Sequence, residues 1–77
     1  MLRREPMMLG MLENGRQGVV TRIVGGREVR DHLLRLGVIP GVLVKKLRGG
    51  GKGPIVVEVL GSHIMLGMGI AKAVEVK

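Results

Sequence analysis

The sequence predicts a small, mainly β protein: a closed barrel of about five short strands, with one helix between the first and second strands and a short helical turn before the last. Three observations predict it. Short runs rich in Val, Ile and Leu are separated by breaks that draw on 14 glycines and three prolines in only 77 residues, a spacing that suits short strands better than long helices. A single stretch, residues 27–37, has helical periodicity. The chain has no Cys, Trp, Tyr or Phe, so an aliphatic core must hold a domain of a size that is marginally stable. Closing the sheet would remove the strand edges such a small protein otherwise exposes.

Residues 1–7 read as a loose leader or start-site extension, and residues 8–77 as one domain. The opening "MLRREPMMLGML" only superficially resembles a signal peptide: its apolar part is short, and Glu13 follows with no small-residue cleavage site. The apolar run 64–71 is interrupted by Gly and far below the 18 or so residues a membrane span needs. The chain therefore reads as cytoplasmic, and the absence of Cys fits a reducing compartment.

Asn14-Gly15 marks a turn after a short apolar lead-in. In the first strand, Val19, Thr21 and Ile23 alternate with Val20, Arg22 and Val24, and both sets are rich in β-branched residues. Gly25-Gly26 ends it. In "REVRDHLLRLG", Val29, Leu33 and Leu36 fall at i, i+4 and i+7, one narrow apolar stripe. His32 flanks it, while Arg27, Arg30, Asp31 and Leu34 point away. Gly37 is the expected left-handed residue that stops the helix. Pro40-Gly41 fits the centre of a type II turn. Residues 42–48 form the second strand, 49–53 a glycine loop, and 54–60 the third strand. Gly61-Ser62 suits a two-residue hairpin turn with Gly first. Residues 63–67 are the fourth strand, "MGIAK" the helical turn, and 73–77 the last strand.

Several function classes fall away. There is no Cys nucleophile, and the only Ser, Ser62, sits beside His63, whose side chain a strand would turn to the opposite face. Catalysis needs paired, oriented groups, so the chain reads as a non-enzyme. "GGGKGP" is not a phosphate loop, because Lys52 precedes Gly53 and no helix starts there. Net charge is +7, which favours an acidic partner surface, nucleic acid or a membrane face. Lys45, Lys46, Arg48 and Lys52 cluster around one hairpin. Consecutive strand lysines cannot share a face, however, and no aromatic side chain offers a stacking platform. A basic nucleic-acid-binding barrel is thus an alternative and not the favoured reading. Glu28 and His32 stand at i, i+4 on one helix face. They could share a divalent transition metal, Fe²⁺ or adventitious Zn²⁺, but no third ligand is placed beside them. A solvated Glu–His pair is the simpler reading, a metal sensor the third alternative, and no cofactor is required.

The ordered residues also resemble a known family. Gly18, Val20 and Ile23; Leu33, Leu36 and Gly37; Pro40 and Gly41; Gly53, Pro54, Ile55 and Val57; Gly61; and Leu66, Ile70, Ala71, Val74 and Val76 look like the FeoA family, ferrous iron transport protein A. The match covers roughly residues 8–77. It implies an SH3-like barrel and a cytosolic accessory role beside FeoB, a ferrous iron permease joined to a GTP-binding domain. A related barrel ends some metal-dependent repressors, but this chain carries no helix-turn-helix.

Partner binding is the reading that remains. Leu34 lies off the helix stripe, and Val38 and Ile39 stand at a corner where polar residues are usual. With Arg30 and Arg35 they form the expected partner-binding set, an apolar patch with a basic rim. Val38 and Ile39 could instead plug the barrel end. The same patch would also suit self-association.

Overall fold

The computed structural model describes residues 7–77; of the expected leader, only Met7 falls among them. The strands are β1 (Met7–Met8), β2 (Gln17–Ile23), β3 (Leu43–Gly49), β4 (Ile55–Val59), β5 (Ser62–Leu66) and β6 (Val74–Val76). Helix α1 is Arg27–Arg35 and the short α2 is Met68–Ala71, with a 3₁₀ turn at Leu9–Met11. The strands form one antiparallel sheet in the order β1-β6-β2-β3-β4-β5. The expected mainly β fold and its single long helix stand, with one strand more than expected, but the expected closure does not: among the described residues β1 and β5 do not pair, so the sheet keeps two edges. Met7, expected in the leader, and Met8 of the apolar lead-in supply the extra strand, pairing with Val76 and Glu75.

The core is entirely aliphatic. Leu9, Leu33, Val38, Val44, Ile55, Val57, Ala71 and Val74 have no exposed surface. Each buried Val, Leu or Ile side chain contributes about 1.5–3 kcal/mol, and with no aromatic ring available the fold depends on many small contributions.

Two bulges decide which side chains enter that core. Val20 pairs with Val76 but Arg22 with Glu75, so Thr21 is an extra residue in β2. A bulge shifts the alternation by one. Val20 and Ile23 therefore both face inward while Arg22 faces out. Neither alternating set foreseen from the sequence is the core set. The Thr21 hydroxyl donates to the Glu75 carbonyl at 3.0 Å and to Glu75 Oε2 at 3.1 Å, which anchors the bulge. In β3, Lys46 opposes Val57 and Arg48 opposes Val56, so Leu47 is the inserted residue.

The corner after α1 has a specific backbone cause. Gly37 has φ +85°. Its N–H donates to Leu34 O at 3.0 Å, and the Val38 N–H donates to Leu33 O at 2.9 Å. That pair of bonds is a Schellman motif, in which the residue after the glycine packs on the residue three before the cap. Those residues are Val38 and Leu33, both fully buried. The type II turn follows: the Val42 N–H reaches Ile39 O at 3.1 Å across Pro40-Gly41, and Gly41 has φ +94°.

The β4–β5 hairpin corrects the sequence reading by one residue. Val59 pairs with Ser62, so Leu60-Gly61 is the turn, not Gly61-Ser62. Both turn residues have positive φ, +51° and +82°, as a type I′ turn requires. The alternation of β4 sets this register, placing Ile55, Val57 and Val59 in the core and leaving Leu60 at a position that favours Asn or Gly. Leu60→Asn is expected to raise stability by about 0.5–1 kcal/mol by relieving that backbone. A urea melt beside wild type checks it.

Candidate functional site

α1 and the corner enclose a groove of about 410 Å³. Leu34, 60% exposed, and Ile39, 38% exposed, supply its apolar walls, and Pro40 and Ile23 line it below. Arg30 and Asp31 reach it from one turn of α1 before Leu34, and Arg22 from the outward face of β2. Helical spacing places Leu34 here. It lies one residue off the buried Leu33, so it faces out wherever Leu33 faces in. The Schellman and type II turns then bring Ile39 and Pro40 alongside.

The rim is basic and held in place. Arg22 Nε lies 3.3 Å from Glu75 Oε1, with the Arg22 side chain 68% exposed and that of Glu75 21%. A pair this exposed contributes little stability, but it orients the guanidinium. Arg30 Nε donates to Gly25 O at 3.2 Å. Asp31 is the one acidic side chain lining the groove. The geometry suits an apolar segment with acidic flanks.

Of the expected partner-binding residues, Arg30, Leu34 and Ile39 come together here. Val38 lines the groove with them, but as its floor: it is 0% exposed, buried by its role in the helix stop. Arg35 is exposed but outside the groove. Sequence reasoning missed Arg22, because only the bulge turns it outward. It also left Asp31 out of the set, although the spacing to Leu34 was readable. Glu28 and His32 are both exposed, and no cluster of three or more metal-ligating side chains occurs among the described residues.

A second, larger depression of about 560 Å³ lies on the outer sheet face between Leu43, Lys45, Glu58 and Leu60. Leu43 and Leu60 are exposed apolar residues that the sequence reading did not single out. Lys45 and Glu58 are directly opposite on neighbouring strands, so this depression is lined by one charge of each sign.

The basic hairpin is altered by Lys46. It is 5% exposed and points into the barrel, where its Nζ donates to Leu12 O at 2.8 Å and Gly10 O at 3.1 Å. A lysine this buried, with two of its three N–H donors on carbonyls, is not presented to solvent, so the cluster facing solvent reduces to Lys45, Arg48 and Lys52.

The model of the FeoA domain family matches residues 7–77. No functionally curated protein matches the sequence. Among solved structures, the chain is similar to a crystal structure described as an iron uptake regulatory protein, FeoA, at 32% identity and a TM-score of 0.89, over 95% of this chain and 97% of that one. It is similar to FeoA of Stenotrophomonas maltophilia complexed with zinc, described as a procaryotic SH3 domain protein, at 26% identity and a TM-score of 0.82, over 92% and 89% of the two chains. A manganese-dependent transcriptional repressor in complex with manganese shares the fold at 22% identity and a TM-score of 0.87; 97% of this chain covers 37% of the repressor. The barrel is thus SH3-like, as expected.

Proposed function

Because this chain belongs to the FeoA domain family, we propose that it is a non-catalytic accessory protein of ferrous iron uptake that docks on the cytoplasmic GTP-binding part of a FeoB-type permease through the α1 groove. The observation that carries the reading is the groove itself. Leu34 and Ile39 are large, apolar and exposed on either side of it, and two oriented arginines flank it. Exposed apolar walls gain energy only when a partner covers them, and a basic rim speeds and orients the approach of an acidic surface. The protein acts by occupancy: it binds, and the permease does the nucleotide chemistry. The likeness to a repressor is one of fold. It brings no favoured role on nucleic acid, since the barrel has no aromatic platform and its central hairpin lysine is buried.

The test is the double variant Leu34→Asp/Ile39→Asp, titrated against the isolated GTP-binding domain of the permease. Leu34 is 60% exposed and Ile39 38%, so the double variant should stay folded at a cost of about 1–2 kcal/mol, most of it from the contacts Ile39 keeps. Affinity is expected to fall about thirtyfold or more, as for loss of central apolar anchors. Wild-type affinity in a folded double variant would overturn the assignment. Charge reversal at Arg22 and Arg30 is expected to slow association and flatten its salt dependence, with a smaller effect on dissociation; stopped-flow binding at two ionic strengths measures it.

A further inference from the structure

β5 ends the sheet. It pairs with β4 on one side and, among the described residues, with no strand on the other. In a hairpin with a two-residue turn, the flanking pair, here Val59–Ser62, is hydrogen-bonded. Bonded and non-bonded pairs then alternate. Val57–Ile64 and Ile55–Leu66 are therefore bonded, while Glu58–His63 and Val56–Met65 are not. It follows that His63 and Met65 aim their N–H and C=O groups away from β4. No turn, loop or cap among the described residues takes up those groups.

Such an edge is a template for another strand, and natural sheets blunt it with Lys, Pro or a bulge. β5 has none of these. It reads Ser-His-Ile-Met-Leu and pairs with β4 in unbroken register. It also lies in an uncharged stretch, residues 59–71, with no Lys, Arg, Asp or Glu, in a chain of net charge +7.

We propose that the free edge of β5 binds the same edge of a second copy of this chain, antiparallel, about a two-fold axis at Ile64. In that register His63 faces Met65 of the partner subunit, and Met65 faces His63 of the partner subunit. Each of these pairs exchanges two backbone bonds, so every outward group of both residues is satisfied on both copies. The half-buried Ile64 meets its twin across the axis in the closer, non-bonded spacing. Met65, 66% exposed, gains cover on the outer face. Charge selects a second copy as the occupant. Two +7 chains repel over most of their surfaces, and this edge lets them meet without a like-charged contact. An acidic partner would gain nothing from an edge that lacks Lys and Arg. The surface uses no residue of the α1 groove, so the two assignments fail or stand separately.

Sedimentation equilibrium on the full chain tests it. A monomer–dimer equilibrium is expected that strengthens with salt, because screening weakens the overall repulsion. Met65→Pro removes an N–H that points away from β4, so the internal ladder stays intact. The two bonds lost across the interface should weaken the dimer about thirtyfold. Met65→Lys, which keeps the N–H and charges the edge, should also weaken it, and Leu34→Asp should not. In hydrogen exchange, the His63 and Met65 amides should gain protection as concentration rises. A chain monomeric at about millimolar concentration, or a dimer insensitive to both Met65 variants, would overturn the proposal. So would amide protection at His63 and Met65 that is independent of concentration.

Discussion

A Gly49→Ala chain is expected to lose about 3 kcal/mol of stability or more, the largest single-methyl effect in the molecule. Gly49 closes β3 and pairs with Ile55 at the start of β4. Its φ of +100° lies beyond the region that other residues tolerate. A Cβ placed there would sit 2.8 Å from Ile55 Cα and closer still to the Pro54 carbonyl oxygen. Both obstacles are backbone, so relief requires parting the two strands. Gly51 is the control: its φ is +61° and a Cβ would meet nothing within 4 Å. Gly51→Ala should cost only about 1 kcal/mol, the conformational penalty alone. Paired guanidinium melts measure the difference. Equal losses at the two positions would show that strand contact at Gly49 is not the cause. A domain of this size has roughly 4–12 kcal/mol in total, so Gly49→Ala should leave a detectable unfolded fraction on warming.

Lys46→Met is expected to cost about 2–3 kcal/mol, despite exchanging a charge for an apolar group of similar length. The ammonium bonds two carbonyls of the segment before β2, and hydrogen bonds from charged donors contribute more than neutral ones. The Lys46 backbone holds the same segment, accepting from the Gly15 N–H at 2.6 Å and donating to Arg16 O at 2.9 Å. The variant keeps those backbone bonds and leaves the Gly10 and Leu12 oxygens without their donor. Loss should therefore appear first as faster amide exchange around residues 9–16, ahead of global unfolding. Lys45→Met is the control. Its side chain faces outward beside Glu58, and it should change stability by at most about 0.5–1 kcal/mol. Equal effects at 45 and 46 would contradict the inward placement.

These residues show what a sequence can disclose. The helix, its stop and the turn after it were legible because their causes are local: a stripe at i, i+4 and i+7, Gly37 for a left-handed cap, and Pro40-Gly41 for a type II turn. Val38 was ambiguous because its role depends on the cap geometry and not on its own chemistry. Lys46 was illegible as a core residue. Its acceptors lie 34 and 36 residues away in the chain, and nothing in its neighbourhood distinguishes it from Lys45. The bulges at Thr21 and Leu47 leave no compositional mark, so the alternation read from β2 left its core set undecided and hid Arg22 from the groove. The β4–β5 turn was missed by one residue because Gly61 satisfies either register locally. The packing of Val59 decides between them.

The proposed docking site is the α1 groove. Titrating the ¹⁵N-labelled chain with the GTP-binding domain of a FeoB permease tests it most directly, residue by residue. Docking in the groove predicts shifts or broadening at the amides of Arg22, Arg30, Leu34 and Ile39 that saturate together. Perturbation confined to Leu43, Lys45 and Glu58 on the outer sheet face, or to β5, with the groove amides unmoved at saturation, would contradict it.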